Sequence, residues 1–319
     1  MFYFISAIAA IIPMMAYLVI IWLFDKYDRE PFSFVLINYL WGAIGAIFLA
    51  IIGSAAIESI LSIWIKNPIR LNHIETIAVA PYVEEITKGL FLFIIFANRK
   101  FDNITDGLVY GGAIGLGFGM TENFLYFITF GNNFSEWLTI VVIRTLFSGV
   151  MHCVATATFG AFLGYSKFKK PAYKVVLPIV GLSLAIFIHF AWNLSVTFKS
   201  TAALGFLFMF ITILIFITVF TIAIMSEKKI IYNELLEESE NGLIPYEHLM
   251  ILNSSRRNRN GWVDESIRKL YIRAATTLAF RKMELKNSSG SSKIFYEKDV
   301  DYYRQFISNL LYKPADIRQ

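Results

Sequence analysis

Ala80-Pro-Tyr-Val-Glu-Glu-Ile-Thr-Lys-Gly89 places two adjacent carboxylates and a lysine inside a run that otherwise reads as membrane-spanning. An ionisable side chain at bilayer depth costs about 2.5–3.5 kcal/mol on insertion scales, so Glu84, Glu85 and Lys88 together need a polar interior to face. On a helix Lys88 is i+4 from Glu84 and i+3 from Glu85, so its ammonium reaches either carboxylate and one face becomes polar. The stretch therefore predicts a charged seam between packed membrane helices. Taken alone, it fits an ion pair that joins helices as well as it fits a functional site.

The rest of the chain agrees with a membrane setting. Of its 319 residues 56% are hydrophobic and only 17% charged, with 30 Phe and a mean hydropathy of +0.57, which excludes an ordinary soluble domain. The net charge of +5 is no sign of a nucleic-acid partner, because the basic residues flank apolar runs or fall in the C-terminal tail, where they report topology and anionic lipid. Cys153 is the only cysteine, which rules out an intrachain disulfide or thiolate cluster; without a cation beside it, it reads as an ordinary buried thiol. The first apolar run lacks a basic leader and a small-residue cleavage site, and so reads as a retained span.

Windows of about 20 apolar residues predict an all-α, polytopic fold with about seven spans, near 2–24, 33–53, 76–97, 107–130, 137–164, 175–198 and 204–225. Residues 54–72 read as a helix lying in the interface or as an extension of the second span. Gly107, Gly111, Gly115 and Gly119 form a small-residue ladder for close approach of a neighbouring helix. Two regions follow, a membrane domain over 1–225 and a charged tail over 226–319. In the tail, Asp264 to Lys286 predicts an amphipathic helix with Ile267, Leu270, Tyr271, Ala274, Leu278 and Met283 on one side and Arg268, Lys269, Arg273, Arg281 and Lys282 on the other. A short helix from about Val300 to Leu311 comes next, and the tail as a whole reads as a peripheral module that docks on the lipid surface. Lys26, Arg29, Arg99, Lys100, Lys167, Lys169, Lys170 and Lys174 fall in one set of short loops, with Lys228 and Lys229 opening the tail, against Lys66, Arg70 and Lys199 in the other set. That bias predicts an outside N-terminus and a cytoplasmic C-terminus.

With this topology the polar residues inside the spans gather at one level. Glu84 and Glu85 in span three, Glu122 and Asn123 in span four, Arg144 in span five, and His189 with Asn193 in span six all fall about 10–14 Å below the outer edge of a core about 30 Å thick. Helix-joining pairs with no common purpose would scatter in depth, so the convergence points to one shared site. His152 is two turns deeper than Arg144, near mid-bilayer, and reaches the site only if span five is tilted or broken. A carboxylate in such a pocket can serve as general base toward water, and neutral His and Asn can donate to a developing oxyanion. Glu and His could instead hold zinc. Both readings point to hydrolysis of a carbonyl compound without a covalent intermediate, since no G-x-S-x-G elbow is present.

Glu84-Glu85-x-x-Lys88, Phe118-x-x-x-Glu122-Asn123, Arg144 with His152 downstream, and His189-x-x-x-Asn193 resemble the ordered motifs of the PrsW family of intramembrane proteases, distant relatives of the CAAX prenyl protease type in the CPBP superfamily. The loop Asp25-Lys-Tyr-Asp-Arg-Glu-Pro31 resembles that family's first polar loop, and the likeness covers about residues 20–200. The resemblance implies a multi-pass protease of a prokaryotic cell membrane that cuts a single-span protein near the extracytoplasmic face, as in site-1 release of an anti-sigma factor. It also implies that Glu84 and Glu85 are the catalytic pair, with Glu84 as the base and His189 with Asn193 as the last motif. Where the prenyl protease type carries histidine after Phe-x-x-x, this chain carries Glu122, which favours metal-free, glutamate-activated water, with zinc as the alternative. Two other classes remain open: a transporter, against which the single polar level and lack of an inverted repeat argue, and a catalytically silent membrane scaffold.

Overall fold

A computed structural model describes residues 2–98 and 101–312; Arg99 and Lys100, counted among the loop cations, lie outside them. Every element among the described residues is helical. In order they are α1 (Phe2–Phe24), α2 (Phe32–Leu40), α3 (Ile47–Trp64), α4 (Pro68–Ile74), α5 (Ala80–Phe96), α6 (Ile104–Phe130), α7 (Phe134–Ile143), α8 (Gly149–Ser166), α9 (Pro171–Thr197), α10 (Ala202–Glu240), α11 (Tyr246–Leu252), α12 (Arg268–Asn287) and α13 (Ser291–Tyr312). Three π-helical segments, Trp41–Ala46, Glu75–Val79 and Arg144–Ser148, join α2 to α3, α4 to α5 and α7 to α8 without a break. Five of the resulting rods are long and apolar enough to cross a membrane: Tyr3–Phe24, Phe32–Trp64, Phe134–Ser166, Pro171–Thr197 and Ala202–Glu240. The protein is thus a polytopic helical membrane protein.

The second rod does not stop near residue 53. It contains no breaker before Trp64, so 54–64 extends the span; the chain then turns at Asn67, whose side chain accepts the backbone N–H groups of Ile69 and Arg70 and starts α4 with Pro68 in its first turn. An interfacial helix over 54–72 is therefore replaced by a long span and a short second helix.

The chain divides into two compact units, Met1–Asp25 with Arg29–Phe220, and Lys26–Asp28 with Thr221–Gln319. At the centre of the first lies α6, nearly every residue of which is buried from Thr105 to Gly119. Asn103 and Asp106 form a reciprocal capping box at its start, each side chain accepting the other's backbone N–H. One side of α6 meets α8 backbone to backbone: a Cβ on Gly107, Gly111 or Gly115 would collide with the carbonyl of Gly160, Thr156 or His152 respectively. On another side, a Cβ on Gly117 would collide with the carbonyl of Tyr39 in α2. The glycine ladder therefore sets the distance between α6 and α8, and with it the height at which His152 is held. Around this pair, α1 and α2 pack on α6, α9 packs on α8, and α5 lies against α3, α8 and α9.

In the second unit the end of α10 and helices α11, α12 and α13 enclose a core containing Leu235, Leu249, Tyr271, Leu278, Phe280 and Ile307. The apolar face of α12 therefore differs from one laid on lipid, because it is used within the unit. The polar face differs as well. Lys282, placed there by periodicity, is buried and donates to the Glu234 carbonyl at 2.8 Å and to Glu237 and Glu238 at 2.9 and 2.5 Å, while Leu270 is exposed. Residues 264–267 form a turn held by the Asp264 side chain ahead of α12, and α13 begins at Ser291, well before Val300.

Gly115→Ala is expected to destabilise the protein by about 1–3 kcal/mol, the usual cost of overpacking a tight contact. Thermal unfolding in detergent checks this, and a melting temperature equal to that of the parent would contradict the backbone contact between α6 and α8.

Candidate functional site

The polar residues of α5, α6, α8 and α9 meet around the Glu85 carboxylate, which is 1% exposed. Its Oε1 accepts from Lys88 Nζ at 2.7 Å and lies 3.0 Å from His189 Nδ1, and its Oε2 accepts from Thr156 Oγ1 at 3.0 Å. Lys88, fully buried, has its ammonium 4.0 Å from the centroid of the Phe118 ring and 2.8 Å from His152 Nδ1. An ammonium can only donate, so His152 Nδ1 is the acceptor and its Nε2–H points to Glu122 Oε2, 2.6 Å away. The same Glu122 oxygen pairs with Arg144 Nη2 at 2.7 Å. Arg144 is fixed in turn by a 2.9 Å hydrogen bond from its Nε to Asn123 Oδ1 and by stacking over the Tyr126 ring at 3.7 Å.

Each histidine thus gives one nitrogen to a carboxylate, His152 Nε2 to Glu122 and His189 Nδ1 to Glu85, which directs the other nitrogen of each toward Glu84. Glu84 Oε2 lies 4.0 Å from His152 Nδ1 and 3.9 Å from His189 Nε2, and has no hydrogen-bond partner among the described residues; Lys88 Nζ is 3.5 Å away. Glu85 is saturated with donors and enclosed, whereas Glu84 has an unused oxygen and is 13% exposed. The two glutamates therefore have different environments despite being neighbours in sequence.

The depth estimate that kept His152 away from His189 does not hold. Their ring centroids are 4.8 Å apart. Eight residues of helix between Arg144 and His152 span about 12 Å, yet Glu122 touches both, because the arginine side chain reaches along the helix and the helix itself carries a π turn. The π segment Arg144–Ser148 adds a residue to one turn, which turns the face of everything after it by about 100°. Span five is continuous but carries a π turn, and His152 enters the site. Thr156, which the sequence reading passed over, lies one turn beyond His152 on the same face; the i,i+4 relation was the available signal. Asn193 goes elsewhere: its Nδ2 donates to the backbone carbonyl of Thr76 at 2.9 Å.

Glu84, His152 and His189 offer one oxygen and two nitrogens within 4.8 Å of one another. Two histidines and a carboxylate form a donor set of hydrolytic zinc sites, and a carboxylate behind each histidine is the usual outer support of such sites. The expectation of a single well-placed histidine is therefore corrected, whereas the Lys88 ammonium stays 2.8 Å from His152 Nδ1 and 3.5 Å from Glu84 Oε2 and would have to shift for an ion to bind. Lys88 and Arg144 each have a carboxylate of their own in Glu85 and Glu122, and Glu84 is the third acid over against two bases. The residues present fit a divalent ion.

Glu84 and Glu122 also line a cleft of about 190 Å³. Ile47, Ala50, Ile51 and Ser54 of α3 form one wall, and Phe118 and Leu125 of α6 contribute to the other.

Residues 30–223 match the family model described as PrsW family intramembrane metalloprotease. Among curated relatives, Protease PrsW of Geobacillus kaustophilus is 30% identical over 168 residues, covering 52% of this chain and 69% of the relative. Protease PrsW of Shouchella clausii is 27% identical over 183 residues (57% and 79%), and that of Bacillus subtilis 26% identical over 190 residues (59% and 81%). No solved structure matches the chain.

Proposed function

Since the chain belongs to the PrsW family of intramembrane proteases, and is therefore a peptidase, we propose that its hydrolysis is carried out at Glu84, His152 and His189 on a membrane-anchored, single-span protein. The observation that carries this reading is the Glu84 oxygen left without a hydrogen bond, 4.0 and 3.9 Å from one nitrogen of each histidine, on a residue that lines the cleft. The substrate backbone approaches through that cleft, whose apolar wall of Ile47, Ala50 and Ile51 suits a segment leaving the lipid. Without a metal, Glu84 would take a proton from the attacking water as the water oxygen bonds to the peptide carbon, and return it to the amine when the C–N bond breaks; as a zinc ligand through Oε2 it would instead hold the ion. Glu85 and Glu122 keep both histidines in the tautomer that turns a lone pair toward Glu84. Arg144 and Lys88 hold those two carboxylates in place.

Zinc fits the same three atoms: Glu84 Oε2, His152 Nδ1 and His189 Nε2 would hold it, in place of the metal-free reading favoured by the sequence alone. When bound it supplies Lewis acidity and a more acidic water at neutral pH. For zinc to bind there, Lys88 would have to give up His152 Nδ1 and would keep Glu85, its 2.7 Å partner.

We further propose seven spans, the five already named together with α5 and α6. The ion-pair network in α5 and the many glycines of α6 make these two less apolar, and α5 still presents Leu90, Phe93 and Ile94 outward as a lipid-facing helix does. The loop cations support an outside N-terminus and cytoplasmic C-terminus, which puts the site in the outer half of the membrane, as extracytoplasmic cleavage of an anti-sigma-factor-like protein would need. The second unit is an accessory domain with no residue in the site.

Incubation of the purified protein with candidate single-span proteins is expected to give a shortened fragment that Glu84→Gln protein does not give. Exhaustive chelation should abolish the fragment and added zinc should restore it. Full cleavage by Glu84→Gln at normal protein level would remove Glu84 from the chemistry, and cleavage unaffected by chelation would return the reaction to metal-free water. For topology, a reporter fused after Ser226 is expected to read out as cytoplasmic; an extracytoplasmic readout would move the site to the inner leaflet.

A further inference from the structure

Asn193 is one turn from His189 on α9, yet it bonds to backbone, and the acceptor it chooses is unusual. In the π segment Glu75–Val79 the wide turn pairs each N–H with the carbonyl five residues before it, and the Ala80 N–H accordingly donates to the Glu75 carbonyl. Continued by one residue, the pattern would satisfy the Thr76 carbonyl with the N–H of residue 81. That residue is Pro81, which has none. The Thr76 carbonyl is therefore left without its helical donor in a membrane helix, where backbone groups must be satisfied from within the protein. Asn193 Nδ2 supplies the missing bond at 2.9 Å.

This bond secures the phase of the helix that carries both glutamates. If the wide turn relaxed to ordinary α-helix with its first turns fixed, the extra residue would be lost and the following residues would rotate by about 100°. Glu84 would then point where Glu85 now points, and Val83 would take the direction of Glu84. The apolar Val83 would face His152 and His189, and the centre would have no free carboxylate.

We propose that Asn193 is a positioning residue: by satisfying the Thr76 carbonyl that Pro81 leaves without a donor, it holds the π turn and so decides that Glu84 faces the two histidines. The inference rests on the protease reading of that centre. It differs from the oxyanion role that the sequence reading gave Asn193, and the two roles respond differently to a change at residue 81.

The test compares Asn193→Ala, Pro81→Ala and the double variant as full-length protein on a single-span substrate that the parent cleaves. Asn193→Ala is expected to lower cleavage by about 10²-fold, as a displaced catalytic group does. Pro81→Ala restores an N–H opposite the Thr76 carbonyl, so the double variant should regain at least about tenfold over Asn193→Ala, a partial reversal of that displacement. A double variant as impaired as Asn193→Ala would overturn the proposal and return Asn193 to the substrate. Hydrogen–deuterium exchange gives a second readout that needs no activity. Amides 77–80, 82 and 83 should exchange faster in Asn193→Ala than in the parent and regain protection in the double variant, and protection unchanged by Asn193→Ala would equally overturn the proposal. If the parent cleaves no substrate, the protease reading of the centre fails, while the exchange result still decides the role of Asn193.

Discussion

The Glu85–Lys88 ion pair is the interaction on which the rest of the site depends. Both groups are enclosed among apolar helices, and removing either would leave a bare charge, an error that costs about 3–5 kcal/mol in buried settings. Such a pair adds little to stability as a pair, because desolvation offsets most of the attraction. Its value here is geometric. Lys88 donates to the acceptor nitrogen of His152, Glu85 fixes the donor nitrogen of His189, and the two rings are turned so that Glu84, one residue before Glu85, lies 4.0 Å from His152 Nδ1 and 3.9 Å from His189 Nε2.

Close packing and helix irregularity make that geometry possible. Glycines on α6 bring its backbone onto α8, and a π segment interrupts each rod that supplies Glu84, His152 or the α3 wall of the cleft. Every wide turn alters which face the following residues present, and its displaced carbonyls must find donors elsewhere. Thr121 of α6 donates to the Ala43 carbonyl in the first segment at 2.8 Å, much as Asn193 serves Thr76 in the second. Polar side chains on neighbouring helices thus answer the irregularities of the backbone, as the lipid interior requires.

The residue types of the centre and their common depth were legible in the sequence because charge inside apolar runs is conspicuous and because rise per residue converts position into depth. The extension of α3 to Trp64 was half legible, since only the Asn67-Pro68 stop distinguishes a long span from an interfacial helix. The π turns were not legible, because one extra residue in a turn leaves no mark in composition; nor was the reach of His152 into the site, because rise per residue takes no account of side-chain length or of which helices pack together. Lys282 misled for a related reason: helical periodicity assigns a lysine to the polar face, but acids contributed by α10 made that face interior. Thr156 and the backbone target of Asn193 depended on which helices became neighbours, and that is decided by the glycine contacts between α6 and α8 and by the packing of α9.

Glu84, His152 and His189 gather into one centre, despite lying on three helices and, by simple rise, at two depths. Zinc content of the purified protein tests it most directly, because ligands of a single ion fail together while separate polar groups do not. The account predicts stoichiometric zinc in the parent protein and its loss in each of Glu84→Ala, His152→Ala and His189→Ala, with all three variants still folded. Zinc retained after removal of His152, or absent from the active parent, would contradict it.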